Sequence, residues 1–275
     1  MSLLRVEQLG KEFGGVRAVA DLDFAIPAGT VFSIIGPNGA GKTTLLNLLT
    51  GVYVPSSGRI LLEDRDLTGR APYEFAARGI ARTFQNLQVF FNMSALENVM
   101  VGRYRHERCG LGATLLRSPR LGRAERACRE DAAELMCYVG LQNYLSTAAD
   151  AMPYGALKRL EIARALATQP KLMLLDEPAA GLNPTEALEL DHLIGRLTGR
   201  GVTVVLVEHN MRLVMGVSDH ILVLDYGRKL AEGPAAAVRN DPKVIEAYLG
   251  SAVPHDASFG SEIASVVAVA VEMRR

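Results

Sequence analysis

The chain has 275 residues and a mass of 29.7 kDa, which is enough for one large domain or for a core with a subdomain. With 49% hydrophobic and 22% charged residues, the composition excludes a chain that is kept unfolded by charge or by low complexity. The 30 basic and 30 acidic residues cancel to a formal net charge of +0, which excludes bulk attraction to nucleic acid or acidic lipid and predicts that any polyanion is bound at a local site.

Short apolar runs separated by turn residues predict strands at residues 3–9, 22–26 and 31–35. The third run stops at Gly36, and leucines at helical spacing then predict a helix over residues 41–50. Further strands are predicted at residues 58–62, 79–84, 172–175, 202–207 and 221–224. Helical patterns between several of these strands predict an α/β architecture around a largely parallel sheet.

The middle and the end of the chain differ from this pattern. Between about residues 94 and 166 the strand pattern disappears and helical periodicity takes its place, which predicts an inserted helical subdomain. We expect one domain over residues 1–250 and a poorly ordered tail over residues 251–275. The start of the chain shows no secretory signal, and the apolar run at residues 266–271 is far shorter than the ~20 residues of a membrane span. A soluble chain is therefore expected.

A phosphate-binding motif lies between a predicted strand and a predicted helix. It fits the pattern G-x-x-x-x-G-K-[ST] with Gly36, Pro37, Asn38, Gly39, Ala40, Gly41, Lys42 and Thr43. Glycines allow backbone N–H groups to surround a phosphate chain, and the start of a helix adds positive potential. We expect Lys42 to pair with the β- and γ-phosphates of a nucleotide and the Thr43 hydroxyl to bind Mg²⁺.

Two carboxylates follow the strand predicted at residues 172–175. Asp176 and Glu177 come at its C-terminal end, which is the edge of a parallel sheet where ligands bind. Asp176 is well placed to join the Mg²⁺ shell, and Glu177 to polarise a water for attack on the γ-phosphate. By itself, such a pair is more often a solvated turn, but the phosphate motif reverses this preference.

The ordered set of motifs resembles that of ABC-transporter ATP-binding subunits. It comprises the phosphate motif, Arg-Thr-Phe-Gln at residues 82–85, Tyr154-Gly155 with the helix that follows, residues 174–178 and Glu208-His209. The resemblance covers roughly residues 3–250. It implies an α/β fold with a P-loop NTPase (RecA-like) core sheet, an inserted α-helical subdomain and a small N-terminal antiparallel β-region.

The resemblance also implies roles for single residues. Phe13 is at the position of the aromatic residue that stacks on adenine, and Thr44 at that of a second hydroxyl that reaches a phosphate oxygen. Gln85 is at the position that senses Mg²⁺ or the γ-phosphate and relays to a membrane partner, and His209 matches the switch histidine that contacts the γ-phosphate. The alternatives are a core role for Phe13, a surface role for Gln85 and a structural role for His209.

The signature segment departs from the family's Leu-Ser-Gly-Gly-Gln pattern. Its sequence, Met-Pro-Tyr-Gly-Ala at residues 152–156, lacks the serine hydroxyl and the glutamine amide. Tyr154, Gly155 and the start of the following helix are left to contact the γ-phosphate of a nucleotide held by a second subunit.

Residues 179–184 resemble the D-loop of the same family. They also predict a helix start by themselves, with Asn183 as the N-cap, Pro184 at the first helical position and Glu186 two residues later. Both interpretations are compatible, because a capped helix end can lie at a subunit boundary.

The resemblance implies ATP and Mg²⁺ as ligands and a dimer in which two chains enclose two ATP molecules. The implied partners are a second ATP-binding subunit, identical or not, two transmembrane permease subunits and, indirectly, a periplasmic or extracellular substrate-binding protein, with no nucleic acid. The permeases would dock near Gln85, where residues 87–93 are unusually apolar, although an ordinary core segment is the alternative. The implied location is the cytoplasmic, inner face of the cell membrane.

Three stretches, residues 110–119, 211–219 and 240–250, are similar to the subgroup that imports branched-chain amino acids. We therefore expect ATP-driven dimer closure that powers import of branched-chain or hydrophobic amino acids. Urea or amide importers and lipopolysaccharide-export ATPases stay open as alternatives. An ABC protein that clamps DNA or ribosomes is less favoured, because the chain shows neither tandem domains nor a long coiled coil. A catalytically weak subunit, suggested by Pro153 and Ala156, is a further alternative.

Overall fold

The described chain, residues 2–104 and 119–250 of a computed structural model, contains ten strands in two sheets. The strands are β1 (Ser2–Phe13), β2 (Val16–Pro27), β3 (Val31–Ile35), β4 (Ser57–Leu62), β5 (Arg65–Asp66), β6 (Ile80–Arg82), β7 (Leu172–Asp176), β8 (Thr203–Val207), β9 (His220–Asp225) and β10 (Arg228–Gly233). Four of them form an antiparallel sheet in the order β2-β1-β4-β5. The other six form a sheet in the order β10-β9-β3-β8-β7-β6.

The six-stranded sheet is parallel from β9 to β6, and only β10 runs antiparallel to its neighbour. Every residue of β3, β7 and β8 is buried. Burial on both faces explains why the sequence shows continuous apolar runs here rather than alternation. Ile34 pairs with Val207, and Val207 with Asp176, so these three strands end at the same level.

Nine α-helices lie in the described residues: α1 (Lys42–Leu49), α2 (Pro72–Ala77), α3 (Ala95–Arg103), α4 (Pro119–Tyr138), α5 (Tyr154–Ala167), α6 (Pro184–Gly199), α7 (Met211–Val217), α8 (Ala235–Arg239) and α9 (Pro242–Gly250). The predicted start of α6 is confirmed. Asn183 accepts a hydrogen bond from the backbone of Glu186, the Glu186 carboxylate accepts one from the backbone of Asn183, and Pro184 is the first helical residue.

The two faces of the central sheet pack against different layers. Leu175 and Leu206 belong to one buried cluster with Val99, Met136 and Leu160 of α3, α4 and α5. These three helices occupy the stretch where the strand pattern disappears, and they share a core with the sheet. On the opposite face, alternate residues of the same strands pack with the leucines of α1 and with the antiparallel sheet.

The predicted α/β fold, with its parallel core sheet, N-terminal antiparallel sheet and helical insertion, is confirmed. The predicted strands are all present, β3 with its predicted bounds and the others with shifted ends, and β1 and β2 are longer than expected because both pair along most of their length. Strands β5 and β10 were not predicted, since β5 has only two residues and β10, at the sheet edge, has charged residues at three of its six positions.

The subgroup insertion at residues 110–119 lies outside the described residues except for Pro119, and the expected tail at residues 251–275 lies entirely outside them. Within the described ranges, no helix combines the length and the hydropathy required to span a bilayer.

Candidate active site

The loop between β3 and α1 borders an open cleft of about 240 Å³ at the C-terminal edge of the central sheet. Its lining residues are Ala18, Asn38, Gly39, Ala40, Gly41, Lys42, Thr43, Thr44, Glu177 and His209. The structure thus brings most of the predicted phosphate-binding loop together with two of the three predicted catalytic residues. Ala18, on the second strand, was not predicted, because only the packing of the antiparallel sheet on the loop brings it there.

Two glycines of this loop are required by close backbone packing. A Cβ on Gly36 would lie 2.2 Å from the carbonyl oxygen of Leu224, and a Cβ on Gly41 would lie 2.4 Å from that of Ala18. Both residues also have positive φ, at 154° and 98°, which favours glycine. The shape of the loop is therefore fixed by its contacts with both sheets.

Lys42 is buried at the floor of the cleft. Its Nζ donates hydrogen bonds to the backbone carbonyls of Gly36, at 2.7 Å, and Pro37, at 3.0 Å. Burial lowers the pKa of Lys42, and the negative charges of Glu177 and Asp176 partly oppose this shift. Since a charged partner gives a stronger hydrogen bond than a neutral carbonyl, a phosphate group in the cleft would be a better partner for this ammonium.

Of the three residues predicted to be catalytic, Gln85 and His209 both contact Glu177, and Gln85 does so without lining the cleft. Glu177 Oε2 accepts a hydrogen bond from Gln85 Nε2 at 2.8 Å, and Glu177 Oε1 lies 2.9 Å from His209 Nε2. The backbone N–H of Glu177 donates to Val207 at 2.8 Å, and its φ of 47° is in the left-handed region, which is unfavourable for a residue with a side chain. Both carboxylate oxygens of Glu177 are thus engaged.

Asp176 is buried at the end of β7 and is paired with Arg82. The Arg82 guanidinium donates to Asp176 Oδ2 at 2.8 Å and to Asn47 Oδ1 at 2.6 Å. The charge of Asp176 acts on Lys42, so this carboxylate lies close to the cleft that Thr43 lines. Together with Gln85, these residues offer carboxylate, hydroxyl and amide oxygens, which are the hard donors that Mg²⁺ prefers. The predicted metal-binding residues therefore fit the ion chemically.

Phe13, Tyr154 and Gly155 do not line the cleft of their own chain. Phe13 is half-exposed at the end of β1 and packs edge-on against Tyr53 at a ring distance of 5.2 Å. Tyr154 and Gly155 begin α5. A Cβ on Gly155 would lie 2.3 Å from Oε1 of Glu186 in the first turn of α6, and a Cβ on Gly181, in the loop before α6, would lie 3.0 Å from the Tyr154 ring. The roles that the resemblance implies for these three residues stay predictions.

Two buried charged residues of α5 hold the segment that contains Gln85. Lys158 Nζ donates to the carbonyl of Gln85 at 2.9 Å, and Glu161 Oε1 accepts from the backbone of Gln88 at 2.6 Å. Neither contact was predicted. A lysine and a glutamate three residues apart share one face of the helix, which is the pattern that could have indicated it, since buried charges need specific partners.

Asn98 of α3 holds the next part of the same segment. It is fully buried, accepts from the backbone of Phe90 at 2.9 Å and donates back to the Phe90 carbonyl at 3.0 Å. Leu87 and Val89 pack against the helical core, whereas Phe90 and Phe91 are 44% and 48% exposed. The alternative of an ordinary core segment therefore applies to the first pair and does not apply to the aromatic pair.

Two further residues near the site, Glu208 and Tyr248, had no individual role predicted from the sequence. Glu208, which follows β8, is buried and accepts backbone hydrogen bonds from residues on two segments. Tyr248 of α9 hydrogen-bonds the backbone of Gly36, and burial raises the pKa of its hydroxyl.

Comparison with known families and relatives identifies what the chain is similar to. The model of the ABC transporter family matches residues 19–180, and that of the branched-chain amino acid ATP-binding cassette transporter matches residues 228–254. The chain is 44% identical to the high-affinity branched-chain amino acid transport ATP-binding proteins BraF of Pseudomonas aeruginosa and LivG of Escherichia coli K12. Each alignment covers 91% of this chain and 98% of the relative.

Solved structures give the same result for the fold. A nucleotide-free ATP-binding cassette from an ABC transporter superposes with a TM-score of 0.78 at 34% identity, covering 90% of this chain and 99% of the other. The ADP conformation of an ATP-binding cassette superposes with a TM-score of 0.79 at 33% identity, covering 91% and 100%.

The buried carboxyl of Glu161 predicts a pH-dependent contribution to stability. Burial raises its pKa above the ordinary value of 4.5, so the native chain keeps this proton at pH values where the unfolded chain has lost it. The stabilising contribution is full below the unfolded pKa and is lost as the pH rises through the raised native pKa. Relative to Glu161→Gln, the parent's free energy of unfolding should fall across this window in urea titrations. Parallel curves for the two proteins would contradict the assignment.

Gly155 is predicted to be constrained by Glu186 within the same chain. A new Cβ in Gly155→Ala would displace the Glu186 carboxylate from the backbone of Asn183, which should cost about 1 kcal/mol of unfolding free energy through loss of the carboxylate half of the capping box. In a Glu186→Ala background the same change should cost less. Gly195→Ala is the control, because a Cβ there meets nothing within 4 Å, and it should be neutral or stabilising. Equal costs in both backgrounds would exclude this contact.

Proposed function

Because this chain belongs to the ABC transporter family of ATP-binding subunits, we propose that it hydrolyses ATP to drive the import of branched-chain amino acids. The observation that carries the catalytic part is the position of Glu177, held between Gln85 and His209 beside the phosphate-binding loop. The relatives' names support the transported class.

Nucleotide binding uses the loop at residues 36–44. Backbone N–H groups and the start of α1 receive the phosphates, and Lys42 exchanges its carbonyl partners for phosphate oxygens. Thr43, Asp176 and Gln85 are the residues that would hold Mg²⁺, which supplies neutralisation of the charge on the β- and γ-phosphates. Arg82 keeps one oxygen of Asp176 occupied, which leaves the other oxygen for the metal or its water shell.

Hydrolysis requires a proton acceptor beside the γ-phosphate, and Glu177 is that acceptor. A water oxygen attacks the γ-phosphorus, the bond to the β,γ-bridging oxygen breaks, and the proton of the water passes to Glu177. In the structure, Gln85 and His209 occupy both oxygens of this carboxylate. Each of these oxygens has a second lone pair, which is available to the attacking water.

The second half of each nucleotide site comes from another subunit in this proposal. Tyr154 and Gly155 do not line the cleft of their own chain, and they begin α5. The N-terminus of that helix has positive potential that suits a γ-phosphate. A second ATP-binding subunit, identical or not, would bind its nucleotide against this end, and Phe13 would contact the adenine of its own chain's ATP.

Permease subunits are proposed to dock at Phe90 and Phe91. This exposed aromatic pair lies on a segment that buried side chains of α3 and α5 hold in place. The proposal places the chain on the inner face of the cell membrane, with two permeases and, through them, an external substrate-binding protein. The match at residues 228–254 favours branched-chain amino acids over urea, amides or lipopolysaccharide. Co-purification with membrane subunits, followed by uptake of labelled leucine in reconstituted vesicles, tests the whole assignment.

Glu177→Gln is predicted to bind ATP and to lose turnover, since an amide keeps the size of the side chain but does not accept the proton. We expect a fall of at least about 100-fold in kcat, given what general acid–base catalysis contributes. An ATP-trapped dimer should then appear in gel filtration. Hydrolysis near the parental rate would show that Glu177 is not the base, and absent hydrolysis in the parent would favour a catalytically weak subunit.

Lys42→Ala is predicted to weaken ATP binding itself. ATP at about 100 times its Kd should stabilise the parent by about 2.7 kcal/mol, and this gain should disappear in the variant because the cation facing the phosphates is lost. Lys171→Ala serves as the control, since this lysine is exposed and pairs with Glu63 away from the cleft. Thermal unfolding with and without ATP measures the gain, and an undiminished gain in Lys42→Ala would remove Lys42 from the binding site.

Replacing Phe90 and Phe91 by serine is predicted to abolish co-purification of the membrane subunits and to leave ATPase activity of the isolated chain within about twofold of the parent. The aromatic pair is exposed and does not line the cleft, and a buried aromatic anchor typically dominates an interface. Tyr73→Ser, an exposed aromatic on α2, is the matched control. Unchanged co-purification of the double variant would exclude this docking site.

A further inference from the structure

We propose that Glu208 is a positioning residue for hydrolysis, which fastens the segment carrying His209 to the loop that follows Glu177. This inference rests on the proposed ATPase function. Glu208 does not line the cleft, so it would act through its neighbours and would not contact nucleotide.

The two oxygens of Glu208 serve two different segments. Oε1 accepts a hydrogen bond from the backbone of Ala179 at 2.7 Å. Oε2 accepts from the backbone of His209 at 3.1 Å and, at the longer distance of 3.5 Å, from that of Asn210. One carboxylate therefore bridges the loop after Glu177 and the loop after β8.

Burial of the Glu208 carboxylate has an energetic cost that a purely structural bridge would not require. Glu208 is 4% exposed, and within the described part of the chain no cation forms an ion pair with it at 4.0 Å or less. Burying a carboxylate is unfavourable unless hydrogen bonds replace its hydration, and the nearby charge of Glu177 adds to the cost. A carboxylate suits this position because it accepts hydrogen bonds on two equivalent oxygens. No neutral side chain of this size offers two equivalent acceptors.

The two bridged loops contact different parts of the proposed nucleotide site. On one side, His209 Nε2 lies 2.9 Å from Glu177 Oε1. On the other, the loop continues to Gly181, where a Cβ would lie 3.0 Å from the Tyr154 ring. Glu208 therefore makes the orientation of His209 depend on the loop that packs against the proposed contact with the second subunit.

The test compares Glu208→Ala with Glu208→Gln. The alanine variant loses both acceptors, whereas the glutamine variant keeps one carbonyl oxygen and can hold one loop at a time. We expect kcat to fall about 10- to 100-fold in Glu208→Ala, the range that a small misplacement near the chemistry produces, with a smaller fall in Glu208→Gln. The KM for ATP and the ATP affinity should stay within about threefold of the parent. Parental kcat in Glu208→Ala would overturn the proposal.

Asp219→Asn is the matched control. Its carboxylate also accepts a backbone hydrogen bond, from Val31 at 2.8 Å, but at the start of β3, the end of the strand opposite the phosphate loop. This variant should keep the parental kcat. If Glu208→Ala and Asp219→Asn both lose kcat in proportion to their loss of thermal stability, Glu208 has only a structural role and the proposal is wrong.

Hydrogen exchange of the nucleotide-free chain tests the bridge without relying on catalysis. In Glu208→Ala, the amides of Ala179 and His209 should lose protection together, while those of α1 keep theirs. Loss at only one loop, or at neither, would overturn the bridge. A parent without ATPase activity but with this coupled loss would refute the proposed function and not the bridge, so the two failures are distinguishable.

Discussion

Hydrogen bonding between the parallel strands β3, β8 and β7 sets the level at which the phosphate loop, Glu177 and His209 enter the cleft. Ile34 is opposite Val207, and Val207 is opposite Asp176, so the phosphate loop, Glu177 and Glu208 all leave the sheet at one edge. A shift of this register by one residue would turn each side chain to the other face. The chemistry of the cleft therefore depends on a backbone alignment that the fully buried strands enforce.

Several charged side chains in the same region are buried away from water. Lys42, Asp176 and Glu208 are nearly inaccessible, and each is compensated by backbone groups or by one opposite charge. Such burial lowers the stability of the empty chain. Glu177, with its positive φ, adds local strain. These unfavourable terms lie where a charged ligand is proposed to bind, as expected for a site organised for function at the expense of stability.

The parts of this arrangement that are contiguous in the chain could be predicted from sequence. The phosphate loop, the carboxylates after β7 and the capped start of α6 each occupy a few consecutive residues with a direct physical meaning. The contacts that span the chain could not be predicted in this way. Ala18 reaches the cleft through sheet packing, and Lys158 meets Gln85 across 73 positions. Both depend on tertiary geometry that a local pattern does not contain.

The hydrogen bonds that hold residues 85–90 determine to which helices a partner bound at this segment would be connected. Four hydrogen bonds from Lys158, Glu161 and Asn98 secure this backbone to α3 and α5. Sliding it along the helices would leave buried polar groups without partners, at about 1–3 kcal/mol each. Phe90, the first residue of the exposed aromatic pair, is thus held in a fixed position relative to the helical layer. A partner bound at Phe90 would therefore be connected through Glu161 and Lys158 to α5, the helix that begins at Tyr154.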